Sequence, residues 1–344
     1  MRRYKEANAL YIKVLEIAPD DADSRYNHSH LLLQSGNFAL GWDKYESRWQ
    51  STDAPPYPFG EIPLLGSIEN IKDSKVLIWA EQGLGDTIQF VRYVALVSSL
   101  GAKVTLLVQP DLLTLLKNIE GPKEVVCRRN QDEAFDFQIP LMSLPRLFKT
   151  DSFNVPANIP YLFAAPEKSK DWKKKLSSDV CLKVGIVWSG GFRKDFPSLW
   201  AVNHRRNIPF EKIAALQTVQ GVSFYSLQKG EPAESEFLRD REAIWTEHNL
   251  SNVANELVDF SDTAGLIDNL DLIVSVDTST AHLAAAMGKP VWILSRYDSC
   301  WRWLLDRLDS IWYPTVRLYN QKSPGDWDTV LSLVARDLGD LVKK

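Results

Sequence analysis

Residues Leu272 to Arg296 read LIVSVDTSTAHLAAAMGKPVWILSR, and this stretch decides the fold. Leu272 to Val276 form a short apolar, β-branched run that reads as a buried strand. Asp277-Thr278-Ser279-Thr280 follow, and all four residue types accept hydrogen bonds from the free N–H groups at a helix start. His282 to Met287 continue as helix, and Gly288 stands where a helix C-cap belongs. Lys289-Pro290 turn the chain, and Val291 to Leu294 make a second buried strand. The unit is strand–helix–strand with a very short helix. Its helix N-terminus points beyond the carboxyl end of a parallel strand, where free N–H groups and the positive dipole end favour phosphate. Ser279 and Thr280 add hydroxyl donors, and His282 is expected to face the same mouth. Read alone, the stretch is equally well a capped structural turn.

Working outward, the same half of the chain holds two further strand ends with polar residues behind them. Lys183 to Trp188 read as a strand, followed by Ser189-Gly190-Gly191 and a basic loop through Arg193, Lys194, His204, Arg205 and Arg206. Long loops between strand and helix are more often functional than ornamental, although these charges are also what a solvated loop carries. Val222 to Leu227 read as a strand that ends at Gln228-Lys229-Gly230, and a lysine there reaches a phosphate as a point charge. With Asp277 to His282, three sets of polar residues converge on one sheet edge, and convergence weighs more than any single motif.

The first half alternates in the same way. Lys75 to Ala80 form a strand, Glu81-Gln82-Gly83-Leu84-Gly85-Asp86 a glycine-containing turn, and Thr87 to Leu100 a helix. Further strands follow at Lys103 to Val108, Glu124 to Cys127 and Phe137 to Ile139. Alternating strands and helices imply a parallel sheet with right-handed crossovers. Gly83 and Gly85 let backbone approach a ligand closely. Asp86 reads as an N-terminal cap or as a general base facing a cleft. The expected organisation is a helical segment over 1–50, a Pro/Gly-rich linker or surface-wrapping loop over 51–73 and an α/β domain over 74–165. The charged, helix-prone stretch 166–182 connects to a second α/β domain over 183–320, and an amphipathic helix over 326–344 is free to pack back on the first.

Composition narrows the function. Hydrophobic residues at 45% and charged residues at 24% describe an ordinary globular chain, and a net charge of −4 gives no electrostatic case for nucleic acid. No apolar run approaches the ~18 residues of a membrane span, and Tyr4-Lys5-Glu6 is not a signal core, so the cytoplasm is the expected location. Three scattered cysteines make neither a disulfide framework nor a zinc spacing, and five histidines show no metal cluster. Trp42, Trp49, Trp301, Trp303 and Trp312 lie outside obvious strands, as residues lining clefts or packed seams do.

Two resemblances follow from these residues. Tyr4, Ala7 and Tyr11 recur 34 residues later as Phe38, Gly41 and Tyr45, and with Pro19 closing a helix this resembles the tetratricopeptide repeat. Gly41 departs from the usual alanine, Arg25 and Ser29 replace the usual aromatic and glycine, and a plain helical hairpin fits the same residues. Over about residues 74–320 the sequence resembles glycosyltransferase family 9, the ADP-heptose:lipopolysaccharide heptosyltransferases, in a repeat-linked branch. Glu81 to Thr87 resemble that family's first-domain Gly-Asp motif, and Asp277 to Leu283 its second-domain Asp-Thr-Gly-x-x-His-Leu motif, with Ser279 where glycine is usual. More distantly, the arrangement is similar to the O-linked N-acetylglucosamine transferases.

The resemblance implies an α/β, GT-B-like fold of two Rossmann-like domains facing a cleft. It implies Asp86 as catalytic base, with Gln82, Gly83 and Gly85 as a close-approach loop. Ser189, Gly190, Gln228, Asp277, Thr278, Ser279, Thr280 and His282 would hold the nucleotide-sugar, with Lys229 and Arg206 neutralising its diphosphate. The expected reaction is metal-independent single displacement with inversion onto a hydroxyl of a glycan, a lipid-linked glycan or a protein. No cofactor is expected beyond the donor. The repeat segment is a candidate for homo-oligomer or protein-partner contacts. The alternatives are a non-catalytic nucleotide-sugar or peptide scaffold and a nucleotide-sugar epimerase. A nicotinamide oxidoreductase is weaker, since no GxGxxG with a following acidic residue is present.

Overall fold

The computed structural model describes residues 3–156, 158–191 and 200–343. Arg193, Lys194 and the rest of the loop to Leu199 lie outside them. The chain forms two compact units, Met1–Asn158 with Cys300–Arg307, and Ile159–Ser299 with Leu308–Lys344. Among the described residues no helix is long and apolar enough to cross a membrane.

The first unit is built on four parallel strands, β1 Lys75–Trp79, β2 Lys103–Leu107, β3 Glu124–Val126 and β4 Phe137–Pro140, in the order β3-β2-β1-β4. Val76, Leu77 and Ile78 are fully buried because helices or loops cover both faces of the sheet. Residues 51–73 do more than link. Leu65 N–H donates to the Gln138 carbonyl and Gln138 N–H to the Pro63 carbonyl, both at 2.9 Å, so this segment runs along β4 and covers the sheet edge.

Three helices precede the sheet, Tyr4–Ile17, Ala22–Gln34 and Phe38–Tyr45, followed by a 3₁₀ turn at Glu46–Trp49. They occupy the positions of the 34-residue pattern. Gly41 stands where the pattern favours alanine because a Cβ there would lie 2.7 Å from Leu33 Cδ2. The last two helices are that close. Trp42 and Tyr45 are buried, and Trp42 Nε1 donates to the Thr150 carbonyl at 3.0 Å, so the helical segment is an integral part of this unit.

The second unit holds six parallel strands, β5 Leu182–Val187, β6 Val222–Ser226, β7 Leu250–Asn252, β8 Leu272–Val276, β9 Val291–Ser295 and β10 Val316–Asn320. Their order is β10-β9-β8-β5-β6-β7, the doubly wound arrangement of a Rossmann sheet. β7 and β10 carry no strand signal of the expected kind. β7 is only three residues, Leu-Ser-Asn, and β10 interrupts its apolar run with an exposed Arg317.

Two expected boundaries move. Tyr161 N–H donates to the Ala286 carbonyl at 3.0 Å, which ties the residues after 158 to the second unit rather than the first. Cys300–Arg307, expected within 183–320, belongs to the first unit. The C-terminal helix Trp327–Val342 belongs to the second unit. Trp327, Val330, Leu331, Val334 and Leu338 share one core with Val184, Ile186, Trp292 and Tyr319, so its apolar face completes the second unit's own sheet covering. Leu341, near the end of this helix, is 37% exposed.

Candidate functional site

In the second unit the strand order reverses between β5 and β8. From β5 the chain winds one way to β6 and β7, and from β8 the other way to β9 and β10. At such a switch point the connections diverge and leave a crevice outside the carboxyl ends of the strands. The residues just beyond β5 and β8 are Trp188-Ser189-Gly190 and Asp277-Thr278-Ser279-Thr280, two of the sets picked out from the sequence.

Arg206 joins them. It ends the helix Trp200–Arg206, and its Nη1 donates to the Asp277 carbonyl at 3.2 Å and its Nη2 to Asn203 Oδ1 at 2.8 Å. The guanidinium lies across Gly190, where a Cβ would sit 2.1 Å from Nη2 and 2.4 Å from Cζ. Only glycine permits this approach. Gly190 N–H in turn donates to Asn207 Oδ1 at 3.0 Å. Gly190, Arg206 and Asp277 are therefore one group.

Thr278 is the N-cap of the helix Ser279–Ala286. Its hydroxyl accepts from Ala281 N–H at 3.3 Å and pairs with Ser275 Oγ at 2.8 Å. The first-turn N–H groups of Ser279 and Thr280 have no intrahelical acceptor by helix geometry, and both residues are half-buried. These are the parts of the motif best placed to meet an anion.

Two of the expected donor contacts, Gln228 and His282, make hydrogen bonds within the second unit. Gln228 is buried, and its side chain is fully engaged with backbone. Oε1 accepts from Trp188 and Ser189 N–H at 3.1 and 2.9 Å, while Nε2 donates to the Ser189 and Lys229 carbonyls at 3.1 and 3.0 Å. It fixes the turn after β5. His282 is also buried, with Nδ1 3.0 Å from Tyr313 Oη and Nε2 3.5 Å from Asp277 Oδ1. The ring thus lies between Tyr313 and Asp277. Lys229 is exposed, and its ammonium donates to the Leu257 carbonyl. Ser189 is buried, its hydroxyl 3.3 Å from the Gly190 carbonyl.

In the first unit the order reverses between β1 and β4, and the turn after β1 carries Gln82, Gly83, Gly85 and Asp86. Asp86 lies in the first turn of the helix Leu84–Phe90. Its Oδ2 accepts from Gly83 N–H at 2.8 Å, and its Oδ1 is ion-paired with Arg302 Nη2. It is thus a cap that is also held by a cation. Gln82 Nε2 donates to Tyr45 Oη at 3.0 Å, and its carbonyl accepts from Gln109 Nε2 at 2.9 Å.

Beside this turn lies a buried charge network. Glu81 Oε2 accepts from Arg48 Nε at 2.7 Å, and Glu81 Oε1 accepts from Arg48 Nη2 at 2.9 Å and Met142 N–H at 3.0 Å. The Met142 bond crosses the β1/β4 switch point. Against the cost of burial, the Glu81 and Glu46 carboxylates push the Arg48 pKa up and keep it charged.

Arg302, Arg48 with Glu81, Tyr313, Asn203 and Asn207 were not found from the sequence. Asn203 and Asn207 sit beside Arg206 at helical spacing, which is a usable signal. Arg302 is 216 residues from Asp86 and Tyr313 is 31 from His282, and nothing local marks either. Among the described residues no group of three or more potential metal-ligating side chains is assembled.

Residues 209–297 match the model of glycosyltransferase family 9 (heptosyltransferase). Protein FlbA of Caulobacter vibrioides is 26% identical over 346 residues, covering 94% of this chain, and the chain spans 56% of that relative's length. A glycosyl transferase of family 9 from Veillonella parvula has a similar structure, with a TM-score of 0.52 and 11% identity over 78% of this chain and 94% of that one. The ADP-heptose lps heptosyltransferase II of E. coli gives a TM-score of 0.50 and 13% identity over 78% of this chain and all of the other. These findings bear out the family resemblance read from the sequence and the GT-B-like fold of two Rossmann-like units.

Proposed function

We propose that this chain transfers a sugar from a nucleotide-sugar to a hydroxyl acceptor, with inversion at the anomeric carbon and without a metal. The observation that carries the reading is the Gly190–Arg206–Asp277 group at the β5/β8 switch point, beside the open first turn of the helix Ser279–Ala286. A guanidinium, two helix N–H groups and two hydroxyls at one sheet edge are the kind of donors a diphosphate needs. The family resemblance and the heptosyltransferase-like fold support the same assignment.

A hydroxyl is a poor nucleophile. Asp86 takes its proton as the oxygen–carbon bond forms, and the bond from the anomeric carbon to the phosphate oxygen breaks with its electron pair. The leaving nucleoside diphosphate gains charge, which Arg206, Lys229 and the N–H groups of Ser279 and Thr280 stabilise. A carboxylate offers about four acceptor positions. Asp86 uses one on Gly83 and one on Arg302, which leaves room for the acceptor hydroxyl.

A thermal-shift and turnover screen of ADP-, UDP- and GDP-sugars, with and without EDTA, tests this. One nucleotide class should raise Tm regardless of EDTA, and Lys229→Ala should weaken that binding about tenfold. Asp86→Asn should keep the shift and lose turnover. A shift that disappears in EDTA would overturn the metal-free mechanism. The competing reading is a binding scaffold without turnover, and it rests on Asp86 being fully accounted for as a cap with an ion pair. Binding with neither transfer nor hydrolysis in the wild-type protein would favour it.

A further inference from the structure

We infer that Arg302 and Gln89 form a positioning pair that fixes the plane of the Asp86 carboxylate for proton abstraction. The inference rests on the reading of Asp86 as the base. A carboxylate held at one oxygen still rotates about its Cβ–Cγ bond. Gly83 N–H holds Oδ2 and Arg302 holds Oδ1, and two anchors on two oxygens leave one orientation.

Arg302 is itself located from several sides. Its Nε donates to Gln89 Oε1 at 2.9 Å, and its Nη1 lies 3.2 Å from Cys300 Sγ. Its guanidinium stacks 4.2 Å from the centre of the Trp301 ring. Trp301 packs against Trp42 at 5.4 Å and Tyr45 at 6.2 Å, both on the helix Phe38–Tyr45. The helical segment thus holds the residue that holds the carboxylate.

Gln89 supplies the independent observation. It is fully buried on the helix that carries Asp86, and its Nε2 has no partner among the described residues. A buried, unpaired amide N–H is unfavourable on its own. The polar side chain is explained by its other end, which aims Arg302. Gln89 therefore ties the helix that carries Asp86 to the cation that holds it.

A split between kcat and donor KM makes the test. Gln89→Met, Arg302→Lys, Arg302→Met and Asp86→Asn are compared with wild type for Tm, donor KM and kcat, measured as nucleoside diphosphate release from ADP-, UDP- and GDP-sugars with water as acceptor. In that reaction the water proton goes to Asp86 as the water oxygen displaces the nucleoside diphosphate. Gln89→Met leaves the buried Arg302 Nε without its acceptor, so it should lower Tm modestly, leave donor KM within twofold and lower kcat about tenfold. Arg302→Lys keeps the charge without the fork and should lower kcat less than Arg302→Met does. A Gln89→Met protein with wild-type kcat, while Asp86→Asn is inactive, overturns the positioning role and leaves the base intact. A Gln89→Met protein whose donor KM rises along with the loss of kcat makes the pair merely structural. Turnover that survives Asp86→Asn removes the base, and the inference with it.

Discussion

Gly190→Ala tests the second unit's site with the smallest possible change, one methyl group. The φ of Gly190 lies outside the left-handed region, so alanine costs nothing in backbone strain. The new Cβ would sit 2.1 Å from Arg206 Nη2, whereas ordinary contact begins near 3.4 Å. The guanidinium must withdraw by about 1.3 Å, the difference between these distances. Its bonds to the Asp277 carbonyl and Asn203 Oδ1, now 3.2 and 2.8 Å, then stretch beyond hydrogen-bonding range. Bonds from a charged donor contribute about 1.5–3 kcal/mol each, but Arg206 is only half-buried and water replaces much of that. The net cost to the fold is about 1–2 kcal/mol. The cost to binding is larger in proportion, since a displaced guanidinium no longer faces a diphosphate. A tenfold loss corresponds to about 1.4 kcal/mol. Isothermal titration with ADP, UDP and GDP measures it on wild type, Gly190→Ala, Arg206→Ala and the double variant. Once Arg206 is alanine the extra methyl meets no guanidinium, so the double variant should bind as Arg206→Ala does. Wild-type affinity in Gly190→Ala, or losses that simply add in the double variant, would refute the assignment of Arg206 to the diphosphate.

Two further outcomes follow from the first unit. Glu81→Ala removes three hydrogen bonds and leaves Arg48 buried with Glu46 as its remaining carboxylate, which should cost about 3 kcal/mol and lower the unit's melting temperature measurably by calorimetry. Replacing Arg48 and Glu81 together by methionine should recover most of that loss, because the cost lies in the unpaired charge. His30 has its pKa pushed down to about 4 by burial and then by the nearby Arg302. The unfolded chain therefore binds a proton that the folded one does not between pH 6.5 and about 4. Stability is full above this window and falls as pH drops through it, by at most about 3 kcal/mol. Urea unfolding at pH 7 and pH 5 should show the loss, and His30→Phe should reduce it.

Much of the fold was legible because its strands are short, apolar and buried on both faces. Leu272–Val276 and Val291–Ser295 could be placed almost to the residue, with a helix and a glycine between them to mark the crossover. β7 and β10 were missed because edge strands are short or carry exposed charge, and periodicity then gives no contrast. The site was legible as residue types at strand ends. The roles within it were not. Gln228 and His282 look like ligand contacts in sequence because they are polar and lie in a motif, and the sequence does not show that Ser189 and Tyr313, 39 and 31 residues away, are among their partners.

The sequence by itself therefore determined the alternation of strands and helices, the two α/β units and the loops at their carboxyl edges. These depend on local periodicity and on turn chemistry within a few residues. Only the tertiary structure decided what each polar group in those loops touches. Arg302 reaches Asp86 across 216 residues and Arg48 reaches Glu81 across 33, and Arg206 lies on Gly190 because the fold brings a helix end over a strand end. Charges and hydrogen bonds act over a few ångströms of space, and the distance along the chain carries no information about them.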